Sequence, residues 1–327
     1  NDVIFFSFGK QPIKWGTGYF FSPADDIFAQ SVVDVTDPTA EREGPLALKI
    51  QYPIPGTMDN LYFFAAMPPS NDPSTVATMT PDQVAVAGKA EFLFGNTEVA
   101  AAGFYQSSSR PQAILMATTG TNNFNFFGEG VVAFAAPSAD YYLQKSSSGV
   151  YSTVDRSADT IFSGTAGMMY SNADWNFTFV TQYLYNGYGY NTLTTKDLLA
   201  ATFSSVFSQS DLISTLGGLG KIGQHYGVAY VSWTELWNTK LDFSVLSLMN
   251  FSDGSGYVQP TVSFTTFTYV KISGGISVSW GGTGTEYADP NGLATALLTG
   301  GTAALASYSS TPTLSFILTL SFGTVSF

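Results

Sequence analysis

The sequence predicts an all-β protein: a transmembrane antiparallel up-and-down β-barrel of about fourteen strands, with residues 1–327 forming a single domain. Three observations predict it. Short runs of alternating apolar and polar residues are joined by links that take turns, one long and one short, as a barrel with short turns at one rim and long loops at the other requires. Charged residues are only 11 % of the chain and aromatics 15 %, with 27 Phe and 18 Tyr; an ordinary soluble domain carries about 25 % charge. No run reaches the roughly 18–20 apolar residues of a spanning helix. The best, 293–306, is broken by Gly300 and Gly301. A closed barrel is then the remaining way to satisfy every backbone polar group within a bilayer.

Taken in order, the strands are expected near 2–14, 45–53, 60–67, 86–95, 98–107, 111–119, 123–135, 158–171, 175–187, 223–235, 240–251, 257–265, 269–281 and 313–327. Most approach the about 9–11 residues that cross a bilayer when tilted near 45°. Short turns fall at 54–60, 95–97, 120–122, 172–174, 236–239 and 265–268, where Asn, Asp, Gly and Thr supply turn chemistry. The other links are 15–44, 68–85, 107–110, 136–157, 188–222, 252–256 and 282–312. This places the long loops outside the cell and both termini in the periplasm. Asn1 opens almost directly into strand and no leader is visible, so a processed chain is expected, with sixteen strands in the intact protein if two precede residue 1.

The run 175–186 is the clearest strand. Trp175, Phe177, Phe179, Thr181, Tyr183 and Tyr185 share one face; Asn176, Thr178, Val180, Gln182, Leu184 and Asn186 share the other. The aromatic face is expected toward lipid, with rings at both interfaces, and the polar face toward the lumen. Residues 270–280 repeat the scheme: Val270, Ile272, Ile276, Val278 and Trp280 outward, Lys271, Ser273, Ser277 and Ser279 inward. In the last strand Leu314, Phe316, Leu318, Leu320 and Phe322 face out, and Val325 and Phe327 change phase, which predicts a bulge near Gly323. Two long links carry a helical period, at 197–216 after Thr195 and, more weakly, at 293–306. Packing on the rim is the simpler expectation for them; folding into the mouth is the alternative.

Charges within strands are the functional lead. Lys10, Lys14, Lys49, Lys89, Glu91, Glu129, Asp242 and Lys271 belong in the lumen or near a rim, since a midplane Lys on the lipid face costs up to about 2–4 kcal/mol. Lys89, Glu91, Glu129, Asn176, Gln182, Asp242 and Lys271 are the candidate pore-lining residues. Trp15, Tyr19, Trp175, Tyr185 and Trp280 are candidates for the aromatic belt. A fourteen-stranded barrel is too wide for side chains alone to fill, because eight strands is already near that limit.

Other chemistry is weakly supported. The chain has no cysteine, which excludes disulfides, thiolate catalysis and cysteine-ligated metals. Its one histidine, His225, has no local nucleophile motif beside it and cannot form a His cluster. Asp25, Asp26, Asp34, Asp37, Glu41 and Glu43 crowd the first long loop without the spacing of a Ca²⁺ loop. Gly281-Gly282-Thr283-Gly284 lacks the Lys-Ser/Thr that would make it a phosphate loop. The net charge of −12 argues against nucleic acid. No catalytic residue, metal or cofactor is therefore expected.

Three stretches carry a resemblance: Gly9-Lys10-Gln11-Pro12-Ile13-Lys14-Trp15-Gly16-Thr17-Gly18-Tyr19 running on to Ser22-Pro23-Ala24-Asp25-Asp26, then 182–190, then 250–256. They resemble a loosely defined group of bacterial outer-membrane, porin-like barrels in which a Gly-Lys-Gln-x-x-x-Trp-Gly strand runs into a Pro-x-Asp loop. The terminal aromatic Phe327 suits that group. The resemblance implies location in the bacterial outer membrane and contact with its lipid, and says less about substrate. Passive diffusion of small solutes is the expected function. A non-transporting structural or surface-interaction barrel, with a second copy or another protein as partner, is the first alternative. A transporter of hydrophobic molecules, with an apolar pocket and a loop or N-terminal plug, is the second.

Overall fold

A computed structural model describes residues 4–11, 13–25, 45–67, 80, 83–206, 221–267, 270–288 and 313–322. Sixteen strands occur among them: β1 Phe5–Lys10, β2 Leu46–Pro53, β3 Asn60–Ala66, β4 Ala85–Phe94, β5 Thr97–Tyr105, β6 Gln112–Thr121, β7 Phe124–Ala133, β8 Tyr141–Lys145, β9 Tyr151–Asp155, β10 Ile161–Asn172, β11 Phe177–Tyr185, β12 His225–Trp233, β13 Leu241–Asn250, β14 Ser255–Phe267, β15 Val270–Trp280 and β16 Thr313–Phe322. One helix, α1, spans Thr195–Phe203. Fourteen strands form one sheet in chain order, β1 through β7 and then β10 through β16, while β8 and β9 pair only with each other. This is the up-and-down antiparallel all-β fold expected. Among the described residues no helix is long and apolar enough to cross a membrane.

The turns follow from residue chemistry. Gly95-Asn96 and Asn122-Asn123 close two-residue hairpins, with Gly95 at φ +63° and Asn122 at φ +48°, the left-handed conformation that matches strand twist. Four expectations need correction. The first strand stops at Lys10 rather than near 14, where Gln11 turns its side-chain amide onto the Ala47 carbonyl at 2.9 Å. Trp175 and Asn176 belong to a turn and not to β11, and Asn176 takes φ +49°. The link 136–157 carries the hairpin β8–β9, whose short strands lie too close to the Asp, Ser and Gly of their flanks to announce themselves. The helix starts at Thr195 and its cap is Thr194, in a reciprocal box with Asp197. Helical residues beyond 206, the helical period at 293–306 and the bulge near Gly323 lie outside the described residues.

Several strands have a buried and an exposed face, while β1 is exposed along nearly its whole length. On β11, Val180, Gln182 and Leu184 are buried and Tyr183 is exposed, the phase read from its alternation. Phe92 and Phe94 on β4, Leu61 and Phe63 on β3, Val262 and Phe264 on β14, and Ile272 and Ile276 on β15 are large and exposed on one face. Contiguous apolar surface of this kind is rare on soluble monomers, whose largest patches reach only a few hundred Å².

The chain divides into two compact units, one of residues 1–120, 127–142 and 155–166, the other of 121–126, 143–154 and 167–327. In the first, antiparallel register aligns Ala47, Ala66 and Ala85 in one row and Phe64, Ala87 and Phe104 in the next. Small residues in the rows leave room on the buried face for something besides the wall.

Candidate functional site: inward charges and the segments that cover them

That room in the first unit is filled by residues 13–25. Ile13, Trp15 and Ala24 join Ala47, Phe64, Ala66, Ala85, Ala87, Ala100, Phe104, Ile114, Met116 and Val131 in one buried apolar cluster. Trp15 is 5 % exposed and meets the Phe64 ring edge-on at 5.2 Å between centroids. Tyr19 sets its ring edge-on to Phe127 at 5.0 Å. Trp15 is thus packed against the buried face of the sheet, whereas Tyr19 stays 52 % exposed. The expectation of a belt role fails for Trp15 because a buried apolar wall attracts an indole as readily as a headgroup layer does.

Two carboxylates fix this segment. Asp25 Oδ1 accepts from the backbone N–H of Trp15 at 2.6 Å and of Gly16 at 2.9 Å. Glu129, on the buried face of β7 and 6 % exposed, accepts from Thr17 N–H at 2.7 Å, the Ser22 hydroxyl at 2.9 Å and Ala24 N–H at 3.1 Å. A buried carboxylate without partners is expensive; hydrogen bonds to a charged group contribute about 1.5–3 kcal/mol each. Gly16 is needed for close approach: a Cβ there would lie 1.6 Å from Ser22 Oγ and 2.7 Å from Glu129 Oε2.

Charged side chains share the same face. Lys89 Nζ and Glu91 Oε1 are 2.5 Å apart, with side chains 10 % and 19 % exposed. They are two residues apart on β4, so period two puts both heads on one side. Beside them Lys49 Nζ lies 5.1 Å from the Tyr62 ring centroid, and Gln51 donates to Asn60 Oδ1 at 3.0 Å. In the second unit Lys271 Nζ reaches Asp242 Oδ2 at 2.8 Å, across the intervening β14, where Ser263 pairs with both Asp242 and Ser273. The Ser263 and Ser273 hydroxyls are 2.8 Å apart.

The second unit has its own cover. Leu198 and Leu199 of α1 are fully buried, and the hairpin β8–β9 grips its first turn: Asp197 Oδ1 accepts from Lys145 Nζ at 2.6 Å and from the Tyr151 hydroxyl at 2.8 Å. Burial pushes Asp197 up, but bonds from Lys145, Thr194 and Tyr151 outweigh it and hold the carboxyl below its ordinary value. Nearby, Glu286 Oε2 accepts from the Tyr226 hydroxyl at 2.5 Å and from Asn250 Nδ2 at 2.9 Å, and Glu286 N–H donates to Asp253 Oδ2 at 2.8 Å. Ser255 donates its N–H and hydroxyl to Asp253 Oδ1 at 2.9 and 2.6 Å. Burial pushes the Glu286 carboxyl up and the Lys221 ammonium down.

Among the pore-lining candidates, the structure pairs Lys89 with Glu91 and Asp242 with Lys271, and assigns Glu129 to the segment 13–25. Gln182 is 2 % exposed on the buried face of β11. Asn176 sits in the turn and is 3.4 Å from Glu235 Oε2. Trp175, 66 % exposed, shares that turn; Tyr185 tilts over His225 at 5.4 Å, and Trp280 is half-buried at the end of β15. His225 Nδ1 is 2.6 Å from the Tyr183 hydroxyl. Of the acidic loop residues, Asp25 is described and caps backbone N–H groups; Asp26, Asp34, Asp37, Glu41 and Glu43 lie outside the described residues. Among the described residues no group of three or more His, Asp or Glu side chains is placed to hold a metal ion.

Sequence reasoning missed Asp253, Glu286 and Tyr226, which join links to a strand end, and Arg110. The Arg110 guanidinium, 7 % exposed, binds Asp140 Oδ2 through Nε at 3.2 Å and Nη2 at 2.7 Å. It also donates to the carbonyls of Phe134, Asp159 and Arg156 at 2.8, 2.7 and 2.6 Å. A lone Arg before a Pro, in a chain so poor in charge, was the available signal.

No protein-family model matches the chain, and no curated protein matches it. Among solved structures it is similar to a BenF-like porin from Pseudomonas fluorescens Pf-5, with TM-score 0.44 and 10 % identity over 85 % of this chain and 69 % of that one. It is also similar to the outer membrane protein opdK from Pseudomonas aeruginosa, with TM-score 0.38 and 9 % identity over 72 % of this chain and 65 % of that one. The fold itself rests on the strand order and register.

Proposed function

We propose that this chain is an outer-membrane barrel that passes small solutes by passive diffusion, narrowed from within by the segments that fold over its inner face. The observation that carries the reading is the division of one fourteen-stranded up-and-down sheet into an exposed apolar face and a face bearing Lys89, Glu91, Glu129, Asp242 and Lys271. Placed in a bilayer, only the second face suits water, since charge against lipid at the midplane costs about 2–4 kcal/mol. Lys89, Glu91, Asp242 and Lys271 are then the residues that tune ion preference, Gln182 adds polarity, and Trp175, Tyr185 and Trp280 meet the interfaces. The short turns face the periplasm and the long links the outside. No catalytic role is assigned to His225.

Single-channel recording in a planar bilayer tests this. Salt-dependent open steps are expected, and Lys89→Glu, which sets two carboxylates beside each other, should move selectivity toward cations. Silence from demonstrably inserted protein would reject the channel.

One observation favours a second reading. The wall around Trp15 in the first unit is apolar, which suits a transporter of hydrophobic molecules plugged by residues 13–25. Saturable binding of a hydrophobic solute, lost in Trp15→Ala and coupled with absent conductance, would select it.

A further inference from the structure

We infer that Glu129 is the positioning residue that holds residues 16–25 as the constriction of the channel, a role that rests on the reading of the protein as a channel. The geometry is specific to a carboxylate. All three close partners of Glu129 are donors: two backbone N–H groups, of Thr17 and Ala24, and the Ser22 hydroxyl. They approach both oxygens, Oε2 from Thr17 and Oε1 from Ser22 and Ala24. A glutamine would turn its NH₂, itself a donor, toward one of these sets. An aspartate, one methylene shorter, would draw the acceptors back from the segment.

Glu129 is a wall residue that takes three donors from this one segment. Asp25 binds Trp15 and Gly16 within the segment itself, shaping the loop without anchoring it. Apolar contact of Ile13, Trp15 and Ala24 with the wall is strong but non-directional; the three bonds to Glu129 fix where the chain between them lies. Gly16 completes the device, because the Ser22 hydroxyl occupies the space where any other residue would carry its Cβ. Two residues far apart in the chain, Gly16 and Glu129, are thus needed for one placement, and substituting either should release the same segment.

The chain has no cysteine, so a single reporter is clean. Ala24→Cys keeps the N–H that binds Glu129 and places a thiol where the native side chain is 1 % exposed. Labelling by a membrane-impermeant maleimide is measured on protein in detergent and in vesicles, alongside single-channel conductance. Glu129→Ala should raise the labelling rate at least about tenfold, the equivalent of losing one charged hydrogen bond, and should enlarge the unitary conductance. Gly16→Ala should do both, and Glu129→Asp should fall between. Folding is checked by heat-modifiable gel mobility; Gly16→Ala carries the test if Glu129→Ala fails to fold. Equal labelling in all backgrounds overturns the positioning role. Raised labelling with unchanged conductance steps overturns the constriction. Raised labelling with every protein silent rejects the channel reading while leaving Glu129 as the anchor of the segment.

Discussion

Removing the Arg110 guanidinium should loosen the base of the β8–β9 hairpin. The side chain makes five donor contacts, two to Asp140 and three to carbonyls of Phe134, Arg156 and Asp159. Breaking a buried pair by deleting one partner costs about 3–5 kcal/mol. Asp140 is 30 % exposed, so water recovers part of that loss, and about 3 kcal/mol is the expected cost of Arg110→Ala. Arg110→Lys keeps the charge but presents donors from one point, which cannot serve Asp140 and three separated carbonyls together; it should cost within about 1 kcal/mol of the alanine variant. Amide exchange reads this locally. The Arg156 N–H bonds the Asp140 carbonyl at 2.8 Å and the Asp159 N–H bonds the Arg156 carbonyl at 2.9 Å. If these open with the cluster, a loss of 3 kcal/mol corresponds to roughly a hundredfold faster exchange. Retention of wild-type protection in Arg110→Lys would refute the reasoning, because charge alone would then hold the hairpin base.

Two further outcomes follow from the ion pairs. The Lys145–Asp197 contact has a pH window: Lys145 is raised chiefly by its bond to Asp197, and Asp197 is held low by its donors against burial. A lowered carboxyl stabilises above its ordinary value and loses this as pH falls through the folded one; a raised ammonium stabilises below its ordinary value and loses this as pH rises. The contact is therefore at full strength between about pH 4 and 10. Lys145→Met should lower stability by about 0.2–1 kcal/mol at neutral pH, as for an exposed pair, and by less once Asp197 is protonated; a difference in melting temperature that does not change with pH would contradict it. For Asp242–Lys271, Lys271→Glu should destabilise and the double variant Asp242→Lys/Lys271→Glu should recover most of the loss. With Lys271 46 % exposed, a double-mutant coupling well above about 1 kcal/mol would be inconsistent with that geometry.

The fold was legible because side-chain period and link length are properties of the chain alone. The alternation of Phe177–Tyr185 and of Val270–Trp280 gave their phases, and Gly95-Asn96 gave its turn, while the turn read at 120–122 falls at Asn122-Asn123 because β6 runs on to Thr121. Boundaries were less legible where a turn residue fits an alternating pattern. Asn176 continues the polar phase of β11 by identity, yet its left-handed φ takes it out of the strand. The hairpin β8–β9 was lost for a similar reason: strands of five residues are too short for alternation to separate from chance, and Arg110 stabilises it from a distant part of the chain.

The site was half legible, and Trp15 shows why. Alternation sorts residues into two faces but does not say what covers each face. In a soluble protein the apolar face is the inside. In a membrane barrel the outer face is apolar because lipid is, while the inner face is apolar only where protein covers it. Trp15 beside Gly16 is compatible with a ring at a headgroup layer and with a ring folded against Phe64. The discriminating signal was on another strand. Glu129 stands among Phe127, Val131 and Ala133 on one face of β7, with glycines at 128 and 130 on the other. A lone acid in such a row must meet donors, since burying it alone is prohibitive. Glu91 and Asp242 find theirs in a lysine on the same sheet; Glu129 takes its donors from a link that has left the sheet, two backbone N–H groups and the Ser22 hydroxyl. An isolated carboxylate on an otherwise apolar inward row is thus a sequence-level sign that a link returns to the interior. Applied to this chain, it would have moved residues 13–25 from the rim to the inner wall.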